Sequence, residues 1–404
     1  MNILYIWDAD YPWDVRVEKI CNSLYEAGYE VHIVARNLKK LTEHEINNGV
    51  HIHRMKAIQN DFINYAATFP FFLSPKWNRL IHKVIENNHI DIIIVRDLPM
   101  AVAGVRAGEK YKLPVIFDMA EDYCAMLREI WKNRKYKGFN LVVRNPYFAK
   151  WIENYVVHRF EHIFVVVEEA KDLVKNMGVK EEKISVIGNT PVLLDLQHSE
   201  SYDHSDIDVL ETRYSVIYTG GITPDRGLSV VIEAIPQIIT EIKDFLFVIV
   251  GNGFEVENLK RLIEKNGLVQ YVKWVGWVDH NLLYKYIKAS KIGVIPHYVT
   301  DHINTTIPNK IYDYMACGIP IIATDAVPMK RILSEEKCGK VFQSGCAKSF
   351  AEEIINIYND PGEFGKRGIE AIFNKYNWEK DAKSMIDVIR SIKKQTISLE
   401  HMHG

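Results

Sequence analysis

The sequence predicts an α/β protein built from two Rossmann-like domains with parallel sheets that face each other across a cleft, and three observations carry that expectation. Short apolar runs alternate with helical patterns almost from end to end, as in successive βαβ units. The alternation lapses once, in a polar and acidic stretch near the middle of the 404 residues. A chain of this length also exceeds one ordinary core, so two domains are the first expectation.

The opening unit is the clearest. Asn2–Trp7 reads as a buried strand; Val17, Ile20, Cys21, Leu24 and Ala27 then recur at helical spacing, Gly28 stops the helix, and Tyr29–Ala35 is the next strand. Further strands are expected at Val50–Arg54, Asp91–Val95, Pro114–Phe117, His162–Val167 and Lys183–Ile187, giving a first domain over 1–193. Residues 194–212 are polar and acidic without apolar periodicity, and read as the linker. The alternation restarts with Tyr214–Thr219, Phe245–Val250, Tyr271–Val275, Lys291–Ile295, Ile319–Ala323 and Lys340–Phe342, giving a second domain over 213–377. A last helix, 378–395, either finishes that domain or crosses back to the first.

Composition narrows the function classes. Hydrophobic residues make up 48% and charged residues 25%, which excludes a mainly disordered chain. Lys plus Arg number 50 against 52 for Asp plus Glu, so no global field exists to hold nucleic acid, and anion binding must be local. Five cysteines form no CxxC pair and no cluster of zinc spacing, which suits a reducing compartment. The N-terminus has no signal-like pattern and no run of about 18 apolar residues occurs, so a cytoplasmic protein is expected.

The second half carries the chemistry. Strand Tyr214–Thr219 runs into Gly220-Gly221-Ile222-Thr223-Pro224-Asp225-Arg226-Gly227 before a helix. Such a turn lets backbone N–H groups approach an anion, and Arg226 adds a fork of donors for phosphate. A tight turn with a solvated arginine explains this segment equally well. Gly251-Asn252-Gly253 and Gly276-Trp277-Val278 leave the next two strands at their carboxyl ends, where ligands of α/β folds gather. Thr305 and Thr306 lead into Pro308-Asn309-Lys310-Ile311-Tyr312-Asp313-Tyr314-Met315-Ala316-Cys317-Gly318-Ile319-Pro320, where Pro308 suits a first helical position and Gly318 a stop. Lys310 and Asp313 then share one helix face, able to meet a diphosphate and a ribose; the plainer reading is a surface pair worth about 0.3–0.5 kcal/mol.

In that order these motifs resemble the donor domain of family 4 glycosyltransferases of the GT-B fold, and the likeness runs over nearly the whole chain. Asp14-Val15-Arg16-Val17 and Gly28-Tyr29-Glu30-Val31 are similar to the family's opening, Asn377-Trp378-Glu379 to the start of its closing helix, which crosses back to the first domain. The resemblance implies retaining transfer of a hexose or N-acetylhexosamine from a nucleotide-diphosphate sugar such as a UDP sugar, with no metal or other cofactor. It implies donor contacts at Gly220, Gly221, Arg226, Gly251, Asn252, Gly253, Trp277, Val278, Thr305, Thr306, Lys310 and Asp313. The family's pair of glutamates seven residues apart falls here on Thr305 and Asp313, a variant of the pattern in a Pro-Asn-Lys subgroup.

On the acceptor side, Asp118-Met119-Ala120-Glu121-Asp122 leaves a strand end. Glu121 and Asp118 match family positions and join Asp313 as the catalytic candidates, with Ala120 where a histidine is common; Asp118 or Asp122 as a helix cap is the plainer alternative. Asp14 and Arg16 are expected near the acceptor. No side-chain nucleophile is assigned, so catalysis falls to phosphate stabilisation and acceptor positioning. Residues 128–150 interleave Arg128, Lys132, Arg134, Lys135, Lys137, Arg144 and Lys150 with aromatics, which suits either an anionic membrane surface and a lipid-linked acceptor or a solvated basic helix. A nucleotide-sugar 2-epimerase and a non-catalytic partner remain as alternatives on the same fold. A dehydrogenase is disfavoured, since no GxGxxG follows Trp7.

Overall fold

The computed structural model of the chain describes residues 1–12, 14–66, 74–133, 140–193 and 205–403. Two compact units emerge, one of residues 1–189 with 381–404 and one of 190–380.

In the first unit, β1 (Asn2–Asp10), β2 (Glu30–Arg36), β3 (His44–Asn47), β4 (Val50–Arg54), β5 (Ile92–Arg96), β6 (Val115–Met119), β7 (His162–Val165) and β8 (Ile184–Val186) form one sheet in the order β3-β4-β2-β1-β5-β6-β7-β8. All pairs are parallel except β3 with β4. The chain leaves β1 toward one edge and returns to its other side as β5, so the crevice at the carboxyl ends of β1 and β5 is the topological switch point.

Strand β3 is absent from the sequence expectation because its residues HEIN are exposed or half-buried and form no apolar run. Its signal lies in the turn. Asn48 (φ 49°) and Gly49 (φ 78°) are both left-handed, as a two-residue hairpin requires, and asparagine-glycine is the pair that accepts this. Strand β1 also runs three residues past Trp7, to Asp10.

The second unit contains β9 (Tyr214–Thr219), β10 (Phe245–Val250), β11 (Val272–Gly276), β12 (Ile292–Ile295), β13 (Ile321–Thr324) and β14 (Gly339–Phe342) in the order β11-β10-β9-β12-β13-β14, all parallel. Its switch point lies between β9 and β12. Phe245, Phe247 and Ile249 of β10 pack with Val231, Ile235 and Ile238 of the helix Leu228–Glu241 in a fully buried core. Ser205–Thr212, read as the end of the linker, is instead a helix; Leu210 is buried and its carbonyl accepts from the Ser215 hydroxyl at 2.9 Å. Residues 194–204 of the expected linker lie outside the described residues. Among the described residues no helix is long and apolar enough to cross a membrane.

Histidines make the fold pH-sensitive. Burial first, and neighbouring histidine and lysine charges after it, hold His53 at about 4; burial and then Lys183 hold His162 at about 4. An unfolded histidine titrates near 6.5, so below that the unfolded state binds more protons. Stability is therefore whole above about pH 6.5 and declines as pH falls toward 4. Melting curves from pH 7.5 to 4.5 should show this decline, and His162→Gln should make it shallower; a slope identical to the parent's would remove His162 from the effect.

Candidate functional site

In the second unit the loops after β9, β10 and β11 enclose a cleft of about 280 Å³ lined by Gly220, Gly221, Val250, Gly251, Asn252, Trp277, Val278 and Leu283. Its floor is made of two glycine loops locked together. The Gly220 amide donates to the Val250 carbonyl at 2.9 Å, the Ile222 amide to the Asn252 carbonyl at 3.0 Å and the Gly251 amide to the Gly276 carbonyl at 2.7 Å. A β-carbon on Gly251 would sit 1.9 Å from the Gly220 carbonyl oxygen, and one on Gly253 2.0 Å from that of Ile222. Only glycine permits this approach. Trp277 stands on the rim with 79% of its surface exposed, a free aromatic face beside the floor.

Beside this floor lies the helix Lys310–Ala316. It begins two residues later than Pro308 suggested, with Asn309 already in helical backbone and making no side-chain cap. Tyr314 on its inner face is fully buried, its ring against Gly293, and accepts from the Thr219 amide at 3.1 Å; this anchors the helix to the end of β9. Lys310 is half-buried with its Nζ 3.8 Å from the centre of the Tyr218 ring and close to Gly220. Burial, then the charge of Arg226, hold its ammonium well below the usual lysine range, against Asp313 and Asp225. The Arg226 charge thus disfavours the Lys310 ammonium, and an anion bound beside it would favour it. Arg226 is half-exposed, its Nε 3.3 Å from Asp225. Asp313 accepts from the Tyr284 hydroxyl at 3.0 Å.

Of the residues expected to hold the donor, Gly220, Gly221, Gly251, Asn252, Trp277 and Val278 line the cleft. Gly253 supports it from behind, while Arg226, Lys310 and Asp313 do not line it. Thr305 departs from expectation, since its hydroxyl donates to the Asp301 and His302 carbonyls of its own turn at 3.3 and 3.1 Å. Thr306 is half-buried and extended. Sequence reasoning missed Tyr218, Tyr284 and His297. His297 is wholly buried and neither ring nitrogen meets a hydrogen-bond partner; burial, then Lys310 and Arg226, hold it well below its ordinary value.

In the first unit the acceptor-side residues divide. Asp118 is fully buried, with Tyr5 Oη donating to Oδ2 at 2.7 Å and Arg16 Nη2 to Oδ1 at 2.6 Å. Arg16 Nη1 reaches the Ile187 carbonyl at 2.9 Å and Asn189 Oδ1 at 2.8 Å. Burial raises the Asp118 carboxyl, but the Arg16 guanidinium outweighs it and holds the group below the usual range. Asp118 and Arg16 are therefore an internal clamp, and the assignment of catalysis to Asp118 and acceptor contact to Arg16 is corrected: neither presents a polar group to solvent. Asp14 caps the helix Val15–Glu26 through the Arg16 and Val17 amides, both at 3.0 Å, and pairs with Arg96. Asp122 is the cap at the next strand end, accepting from the Ala125 amide at 2.8 Å.

The groups at the switch point are Asp8, Asp97 and Glu121. Asp97 has φ 56°, a left-handed conformation that a non-glycine residue keeps only when its surroundings fix it; here its Oδ1 accepts from the Ala120 amide at 3.0 Å. Burial pushes its carboxyl up to about 7, with Arg96 opposing and exposed Glu121 adding. Burial likewise raises Asp8 to about 6, against Arg36 and Arg96. Arg96 stacks 4.3 Å from the Trp7 ring centre. Among the described residues one group, Asp122, Cys124 and Glu153, brings potential metal ligands within 4.8 Å, but Lys150 Nζ already stands 2.6 Å from Glu153.

Comparison with known proteins bears on the family and the fold. Residues 14–190 match the pattern of Glycosyltransferase Family 4 and residues 213–360 that of Glycosyl transferases group 1. The phosphatidyl-myo-inositol mannosyltransferase of Mycobacterium leprae is 23% identical over 172 residues, 42% of this chain and 44% of that protein, so this match spans less than half of the relative. Its Mycolicibacterium smegmatis namesake is 22% identical over 396 residues, 96% of this chain and 92% of that one. Among solved structures, sucrose-phosphate synthase of Thermosynechococcus elongatus superposes with a TM-score of 0.78 at 17% identity, covering 98% of this chain and 99% of that one. Anabaena HepE in complex with UDP and glucose does so with a TM-score of 0.69 at 16% identity, covering 97% and 100%. With both units matched in sequence and in fold, the chain is a glycosyltransferase of the GT-B fold, family 4 in its first half and group 1 in its second.

Proposed function

We propose that this enzyme is a retaining transferase of the Pro-Asn-Lys subgroup that moves a hexose or N-acetylhexosamine from a UDP sugar to a glycan or lipid-linked acceptor in bacterial surface polysaccharide synthesis, without a metal. The observation that carries the donor half is the glycine-floored cleft at the carboxyl ends of β9, β10 and β11. Backbone groups of that floor and the Trp277 face suit a base and ribose, while Lys310 and Arg226 suit the diphosphate. The HepE structure with UDP and glucose supports a uridine donor.

In this reading Lys310 and Arg226 neutralise charge as the sugar–phosphate bond breaks, and Asp313 holds a donor hydroxyl. Glu121, exposed beside Asp97, orients the acceptor hydroxyl. The sugar passes to the acceptor with its anomeric configuration kept, whereas a 2-epimerase inverts C2 of the donor sugar and glycosylates no acceptor.

UDP at a hundred times its dissociation constant should stabilise the folded protein by about 2.7 kcal/mol, visible as a raised melting temperature. Arg226→Ala should need at least tenfold more UDP for the same shift. A variant that binds UDP as the parent does would remove Arg226 from the phosphate site. Incubation of UDP-glucose and UDP-N-acetylglucosamine with a lipid-linked acceptor, with and without EDTA, then tests transfer and metal independence together; loss of activity in EDTA would overturn the latter.

A further inference from the structure

The helix Pro146–Val156 turns aromatic side chains toward solvent. Its inner face buries Ala149, Ile152 and Val156, as an amphipathic helix should, yet its outer face is not polar. Tyr147 is 81% exposed and Trp151 64%, with Tyr155 next on the same stripe. At 1.5 Å per residue this stripe is about 12 Å long. The rings are ordered: Phe148, Trp151 and Tyr155 stack in turn at 5.8 and 6.3 Å between centres, and the Arg159 guanidinium lies 4.0 Å over Tyr155. Leu141 and Val142, just before the helix, are also exposed.

Charge around the stripe is mostly positive, although Arg159 Nε stands 3.7 Å from Glu109. Glu129 and Glu153 are the only carboxylates in residues 123–159, and each is already paired, with Lys132 at 3.0 Å and Lys150 at 2.6 Å. Arg128, Arg144 and Arg159 add further positive charge. Residues 134–139, part of the basic stretch noted in the sequence, lie outside the described residues. The helix Tyr123–Asn133, which begins four residues after β6, packs against this helix. On the helix Asp61–Ala66, Phe62 and Ile63 are exposed beside Tyr65.

We propose that the outward face Tyr147–Trp151–Tyr155, ringed by Lys150, Arg144 and Arg159, docks on an anionic lipid bilayer. Aromatic side chains settle at the headgroup level and basic ones meet the lipid charge, a combination that holds a helix in the interface plane. Docking by this face sets the acceptor half of the enzyme at the membrane, which rests on the lipid-linked acceptor proposed above for its purpose but not for its physics.

The test is flotation of the full chain with phosphatidylcholine vesicles, with and without phosphatidylglycerol, for the parent and for Tyr147→Ser/Trp151→Ser. The parent should float with the anionic vesicles and lose them as salt rises, because exposed charges are screened. The double variant should bind at least tenfold less while its UDP-induced thermal shift stays that of the parent. Equal flotation of parent and variant, or no flotation of the parent, overturns the proposal. So does a parent dimer in sedimentation that the double variant dissolves, which would assign the face to a second copy. If the vesicles bind as expected but UDP shifts neither protein, the donor reading fails and the docking surface stands.

Discussion

Arg16→Ala should lower the melting temperature of the first unit by roughly 6–20 °C. Removing one partner of a buried ion pair costs about 3–5 kcal/mol, because the other charge is left uncompensated, and a domain of about 150–250 residues shifts about 2–4 °C per kcal/mol. Here the loss is compounded, since Arg16 holds Asp118 and also the Ile187 carbonyl and Asn189, tying the helix Val15–Glu26 to β6 and to the stretch after β8. Arg16→Lys discriminates the cause: it keeps the charge but not the planar fork, so it should fall between parent and alanine variant. A thermal unfolding curve for Arg16→Ala within about two degrees of the parent's would mean the clamp contributes nothing. UDP binding, proposed for the other unit, should be retained.

Transfer by Asp313→Asn should fall about tenfold or more, equivalent to about 1.4 kcal/mol of transition-state binding, with the fold intact. Its contact with the Tyr284 hydroxyl survives in an amide, so the charge is what the substitution chiefly removes. Asp313→Glu should keep substantial activity if the carboxylate meets the donor. Unchanged turnover in the asparagine variant would return Asp313 to a surface pair.

Most strand positions were legible because buried parallel strands are apolar runs; β3, exposed and antiparallel, is the exception. The glycine floor was legible for a related reason: Gly220, Gly251 and Gly253 sit where backbone meets backbone, and that need shows in the residue type itself. What did not show is anything decided by long-range pairing. Asp118 looked like an exposed carboxylate at a strand end, and only the fold brings Arg16 onto it from 102 residues away. Asp97 follows an arginine in an unremarkable RDL triplet, yet the fold sets its left-handed backbone against the Ala120 amide and raises its carboxyl, first by burial and then through Glu121. Thr305 was placed by alignment of motifs, whereas its hydroxyl is claimed by the local turn.

The interlocked glycine floor also constrains how this enzyme can change. A floor without side chains offers a ligand only amides and carbonyls, and these are the same groups whatever the residue beside them. At Gly251 and Gly253 a side chain would insert atoms where carbonyl oxygens already stand within 2.0 Å. If the proposed donor occupies this cleft, drift in base or sugar preference should enter through the side chains that line it, at Asn252, Trp277, Val278 and Leu283. A saturation library confined to those positions should yield altered donor profiles among well-folded proteins, while one confined to Gly251 and Gly253 should yield mostly unfolded chains.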